Sequence, residues 1–216
     1  TEPDTGDITT LRSRAGEFRV SRPVTFHDAD ETSPLTAVPL PVATETIDPN
    51  TLLIRGTQIE ITRRKLKDTD KSVHDAEIVR SIMGGIANLV GQVMLERLHA
   101  DLTALPAGTA LPGIIQALGP AGIRFEEMRS IVGTAGAGVT GVDEGGGLRV
   151  QGVPAQITSG HANTFVGAFT RSAVAIMDDI RLTAARVNVN GSMEVTVWID
   201  LIPLVPDPAY FVELSA

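Results

Sequence analysis

Apolar and polar residues alternate near both ends of the chain, and between them apolar residues recur at helical spacing. From Glu17 to Phe26 the apolar positions are Phe18, Val20, Val24 and Phe26, a period of two that predicts a strand. A polar tip, HDADETSP (27–34), follows, and prolines at 34, 39, 41 and 49 keep the chain from Leu35 to Ile54 out of any central strand. GTQIEIT resumes the extended pattern, with Ile59 and Ile61 on one face. Residues 1–16 read as a flexible polar arm. This first quarter predicts an extended, non-helical segment with little core of its own, better suited to lying on a neighbouring subunit than to a compact monomer.

The middle of the chain predicts one long helix. Val79, Ile82, Met83, Ile86, Leu89, Val90, Val93, Met94 and Leu98 fall on one face. Ser72 with Asp75 three residues on makes a candidate capping box, and Asp68 and Asp70 lie where the helix dipole favours anions. From Ser72 to about Leu102 the helix would be roughly 45 Å long at 1.5 Å per residue. Gly84-Gly85 in its interior costs about 1 kcal/mol each against alanine, which predicts a bend or a close backbone approach.

PAGTALPG (106–113) ends the helix and opens a second unit. Ile114 to Leu118 and Phe125 to Val132 read as short helical pieces, and the glycine-dense GTAGAGVTGVDEGGG (133–147) as a mobile loop. The remainder is mostly strand. A two-residue type I′ turn at Asn190-Gly191 pairs Val189 with Ser192. That register places Ile180, Leu182 and Ala184 on one face with Val195, Val197, Ile199 and Leu201. Arg181 then stands across from Asp200 on the other face, and Thr183 across from Trp198.

Composition narrows the function classes. The 216 residues suffice for one large domain or two small ones, with 43% hydrophobic but only 4% aromatic residues. The chain lacks cysteine, which removes disulfides, thiolate metal sites and a cysteine nucleophile. A net charge of −8 argues against a surface that grips nucleic acid, though not against a container that encloses it. No apolar run reads as long enough to cross a bilayer, and TEPDTGDITT is unlike a signal peptide. The sequence starts at Thr1 rather than Met, which leaves initiator-Met removal and proteolytic maturation as alternatives.

Candidate chemistry is thin. Gly136-Ala-Gly138-Val-Thr-Gly141 matches GxGxxG, and MRSIV could supply the preceding strand, but VDEGGGLRVQG cannot supply the helix that a dinucleotide needs. A nucleotide-binding enzyme built on the Gly133–Gly147 loop is therefore a remote alternative. His74, Asp75 and Glu77 with Asp68 and Asp70 match no zinc or EF-hand spacing, so no metal site is expected there. Ser172 and His161 lack a nucleophile-elbow context. Arg63, Arg64, Lys65, Lys67 and Lys71 form the basic cluster, read first as a solvated face.

The order of elements from Leu148 to Glu213 carries a resemblance. LRVQGVPAQI, then TFVGAFTRSAVAIMDD, a strand pair, and IPLVPDPAYFVEL together resemble the closing segment of tailed-phage major capsid proteins of the Hong Kong 97 fold, shared by encapsulins and gene transfer agents. ATETIDPNTLLIRGTQIEITRRKL resembles the return strand of that family's E-loop leading into its spine helix. The resemblance implies an α+β Hong Kong 97-like fold with residues 1–14 as N-terminal arm and 15–60 as E-loop. A peripheral domain would comprise 61–105 and 178–204 (spine helix 72–103, β-hairpin 180–201), and a small axial domain 106–177 and 205–216. The stretch from Pro106 to Leu148 departs from the family in being shorter, richer in glycine and one helix poorer.

The implied function is that of a non-enzymatic shell subunit, self-assembling through hexamers and pentamers into an icosahedral head around double-stranded DNA, with an encapsulin-type compartment as the alternative. Implied partners are further copies of the chain, a portal, and scaffold, protease or decoration proteins, without a cofactor or a membrane. The implied location is the virion, assembled in the bacterial host cytoplasm. Candidate intersubunit contacts are Arg19, Arg22, His27, Asp28, Asp30, Arg63 and Arg64. Some members of the family weld their shells with isopeptide bonds from an arm lysine, yet Arg12 to Ile61 holds no lysine here.

Overall fold

The computed structural model describes residues 16–24, 39–68, 71–177, 180–186 and 192–216, with the side chains of residues 66, 68 and 71–74 excepted. The strands and helices follow in chain order: β1 (Glu17–Ser21), β2 (Val42–Thr46), β3 (Leu53–Ile61), α1 (Arg63–Asp68), α2 (Lys71–Asp101), α3 (Leu111–Leu118), β4 (Arg129–Val132), β5 (Val139–Val142), β6 (Leu148–Val150), β7 (Val153–Ile157), β8 (Thr164–Gly167), β9 (Ala173–Ile176), β10 (Arg181–Arg186), β11 (Met193–Leu204) and β12 (Phe211–Leu214). They fall into two units. One contains Ile47–Val93 and Val174–Pro203; the other contains Glu17–Thr46, Met94–Ala173 and Leu204–Ala216.

In the first unit β11 pairs with β10, β3 and β9. Its alternation puts Val195 and Val197 on the same face, where they pack with Ile61 and with Ile82 of α2, flanked by Ile59, Ile78 and Ile86. Further along, Ile199 and Leu201 meet Val93, with Leu53, Leu89 and Val90 around them. Gly56 stands opposite Trp198 in the β3–β11 ladder. A Cβ there would lie 2.9 Å from the indole, so the absent side chain makes room for the ring.

The long helix matches its apolar periodicity at Ile82, Val93, Met94 and Leu98, which are buried. Val79 and Met83 do not follow: both stay more than half exposed. The helix already includes Lys71 and Ser72, so Ser72 lies inside it rather than at its cap. Asp75–Asp101 is also long and apolar enough, at a mean hydropathy of 1.4, to cross a membrane, contrary to the sequence expectation. Its alanines and large aliphatic residues raise that mean, while Gly84, Gly85 and Gly91 lower it. Its large apolar residues supply the clusters that cover the sheet.

The ribbon β10–β11 differs in register from the prediction. Arg181 pairs with Trp198 and Arg186 with Met193, a slip of two residues from the Asn190-Gly191 scheme. Two residues is one full period of a strand, so every side chain keeps its predicted face. The turn itself lies outside the described residues. Arg181 still reaches Asp200, now diagonally, at 2.8 Å. β10 buries nothing of its own: all six residues are exposed, because α2 covers β11 and β3.

In the second unit six strands run in the order β12–β8–β4–β7–β6–β5. β4 occupies the interior, antiparallel to β8 and parallel to β7. This corrects the helical reading of Phe125 to Val132: after one 3-10 turn at Phe125–Glu127 the chain extends, because sheet neighbours on both sides satisfy its backbone. α3 lays Ile114 and Leu118 on Val132, Val150, Val153, Val166, Val212 and Leu214. The Gln151-Gly152 turn between β6 and β7 has positive φ at both residues (49° and 84°), the type I′ geometry of a tight hairpin.

The glycine-dense stretch is also no plain loop. Gly133 approaches a neighbouring backbone so closely that a Cβ would sit 2.2 Å from the Asn163 carbonyl oxygen. Thr134 and Ala135 donate to the His161 and Ala162 carbonyls. Gly136 and Gly138 adopt positive φ and lead into β5, which pairs with β6. Asp143 caps the return through the backbone of Gly145 and Gly147 and pairs with Arg149 at 2.9 Å. Those backbone donors and the guanidinium hold its carboxyl below the usual range.

Candidate functional site

Arg22 and Arg19 lie on or beside β1, which pairs with β2 in a two-stranded ribbon of the second unit. Arg22 pairs with Asp207 at 2.7 Å, and its backbone donates to Pro41. Glu45 of β2 accepts from Arg97 of α2 and from the Val205 backbone N–H. The base of the arm is therefore anchored within its own subunit. Arg19 is exposed and bonded to Glu17 two residues away. Arg63 and Arg64 are exposed on α1. His27, Asp28 and Asp30 lie outside the described residues.

Arg171 forms a second polar node of that unit. It pairs with Glu127 at 2.9 Å, lies over the Tyr210 ring at 4.6 Å and donates to the Ser21 carbonyl. Hydrogen bonds from Arg171 and then Arg124 hold the Glu127 carboxyl below its ordinary range. The node ties Glu127, Tyr210 and the end of β1 together.

The GxGxxG stretch offers no phosphate cradle. MRSIV does contain a strand, β4, but Gly136 to Gly141 open a hairpin, and β6 follows where a dinucleotide fold has a helix. Of the acidic group read around the start of α2, Asp75 and Glu77 are exposed; the remaining members lie outside the described side chains.

A different cluster, missed in the sequence apart from His161, gathers in the second unit. His99 in the last turn of α2, His161 before β8 and Glu213 of β12 bring their donor atoms within 4.8 Å of one another. His99 Nδ1 lies 2.7 Å from Glu213 Oε1, which also accepts from the Asn163 amide. The available signal was a carboxylate inside the apolar run FVEL, where a charge is rarely left without a partner.

Large apolar side chains remain exposed in both units. The first shows Ile54 (63%), Leu182 (52%) and Trp198 beside Arg181 and Thr183. The second shows Ile157 (77%), Val142 and Val139 on the ribbon that ends at edge strand β5. Grouped apolar exposure and an open strand edge are features of surfaces that other chains cover.

No family model matches the sequence, and no curated protein is significantly similar to it. Solved structures are similar in fold. A chain from the capsid of an empty GTA particle superposes with a TM-score of 0.62 at 15% identity, over 100% of this chain and 96% of that one. A chain of the satellite phage P4 procapsid gives 0.59 at 12% identity, over 93% and 89%. A virus-like particle from Pyrococcus furiosus gives 0.51 at 12% identity, over 96% of both chains. With the long helix, the β3–β10–β11 sheet and the separate six-stranded unit in that order, the chain has the Hong Kong 97-like capsid protein fold.

Proposed function

We propose that the chain is a major capsid protein, a non-enzymatic subunit that assembles into the icosahedral head of a tailed phage and encloses double-stranded DNA. The observation that carries this reading is the end-to-end match, in both directions, with a capsid chain. Exposed Ile54, Leu182, Val142 and Ile157 supply apolar surface for lattice contacts. A net charge of −8 suits a wall that confines nucleic acid without gripping it. On this reading residues 61–105 and 178–204 form the peripheral domain and 106–177 with 205–216 the axial domain. Residues 1–14 are the N-terminal arm and 15–60 the E-loop. A portal, and scaffold, protease or decoration proteins, join the lattice during assembly in the host cytoplasm.

A nanocompartment of encapsulin type is the second reading, favoured by the likeness to the Pyrococcus furiosus virus-like particle. Expression of the chain, alone and with its neighbouring genes, followed by negative-stain microscopy tests both. Closed shells of uniform diameter are expected. Soluble monomer under every condition would refute the shell reading. Nucleic acid inside native particles marks a phage head; a co-purified enzyme marks a compartment.

A further inference from the structure

β12 places a carboxylate where its neighbours are apolar. Glu213 is fully buried between Val212 and Leu214, and its Oε2 has no hydrogen-bond partner among the described residues. A buried carboxylate oxygen without a donor is costly, and native proteins resolve such a group with water or an ion. Its other oxygen faces His99 Nδ1. The His99 and His161 rings stand 4.8 Å apart, centroid to centroid, and His161 Nδ1 accepts from the backbone N–H of Asn163 at 3.1 Å, a bond that coordination through Nδ1 would replace. Asn163 is itself held, its side-chain carbonyl accepting from the Ala216 N–H at 3.0 Å.

Two imidazoles and one carboxylate are the donors preferred by zinc and its late transition-metal neighbours. Calcium and magnesium want more oxygens than the cluster holds. We propose that His99, His161 and Glu213 bind Zn²⁺ or a similar divalent transition-metal ion, with Asn163 orienting the carboxylate. Ligand bonds of roughly 2.0–2.2 Å put tetrahedral donors about 3.4 Å apart, so the widest separation, up to 4.8 Å, closes by about 1.4 Å while His99 Nδ1 and Glu213 Oε1, at 2.7 Å, part by about 0.7 Å. The His99 side chain is 54% exposed, which gives it room to move and gives the ion a path from solvent. A water completes the site. Each ring coordinates through the lone pair of a neutral imidazole nitrogen. In a chain without cysteine the ion would cross-link three segments distant in sequence: the end of α2, the segment before β8, and β12. This inference is independent of the shell reading.

The test uses the full chain stripped with chelator and titrated with Zn²⁺ by calorimetry, and with Co²⁺ by visible absorption. One Zn²⁺ per chain and the absorption of four-coordinate cobalt are expected. His99→Ala and His161→Ala, both at partly exposed positions, should each weaken binding at least about tenfold. A His27→Ala/His74→Ala double variant should bind as the wild type does. Absence of saturable binding would overturn the proposal. So would binding that survives both single variants, or binding lost in the His27/His74 pair.

Discussion

Gly133→Ala should be among the most damaging single-methyl additions in this chain. The new Cβ would lie 2.2 Å from the Asn163 carbonyl oxygen, 2.3 Å from that of Ala162 and 2.5 Å from the Ala162 carbonyl carbon. All three are backbone atoms, so no rotamer change relieves the clash. Moving the 161–163 segment by about an ångström restores ordinary contact but strains two hydrogen bonds, Thr134 N–H to His161 O at 2.9 Å and Ala135 N–H to Ala162 O at 3.2 Å. Overpacking typically costs about 1–3 kcal/mol. Each weakened hydrogen bond adds about 0.5–1.5 kcal/mol. A loss of about 2–6 kcal/mol lowers the melting temperature of a chain this size by roughly 4–24 °C. Gly84→Ala is the internal control, because its Cβ would meet nothing within 4 Å. Within a helix it should stabilise by about 0.5–1 kcal/mol. Thermal unfolding of unassembled subunits by circular dichroism reads both signs. A Gly133→Ala chain melting at or above the wild type would refute the close-approach argument.

The ribbon faces predict a second contrast. Val197→Asp buries an unpaired charge under α2 and should cost about 4 kcal/mol or more, whereas Arg181→Ala, removing a half-exposed partner of buried Asp200, should cost about 1–2 kcal/mol. Denaturant titration separates them, and equal tolerance would mean that the faces are misassigned. Since Arg12 to Ile61 contains no lysine, particles boiled in denaturing detergent should run as a single monomer band; a ladder of covalent multimers would defeat that expectation.

What the sequence determined by itself was whatever depends on short-range periodicity. The 3.6-residue stripe from Ile82 to Leu98 declared the long helix, because one face of a helix must be apolar to cover a sheet. Alternation in β11 declared which side of the ribbon is buried. Alternation cannot distinguish registers two residues apart, so the pairing of Arg181 with Trp198 rather than Asp200 waited for the tertiary structure. Phe125 to Val132 and the glycine stretch after it carried no local signal strong enough to overrule helix or loop. β4 is a strand because β7 and β8 complete its hydrogen bonds, and β5 because β6 does. The His99–His161–Glu213 cluster was equally hidden, since His99 and Glu213 stand 114 positions apart and meet only when β12 closes beside the end of α2. Local pattern decides what an element is; the partners that satisfy its backbone and its charges come from elsewhere in the chain, and only the folded structure brings them together.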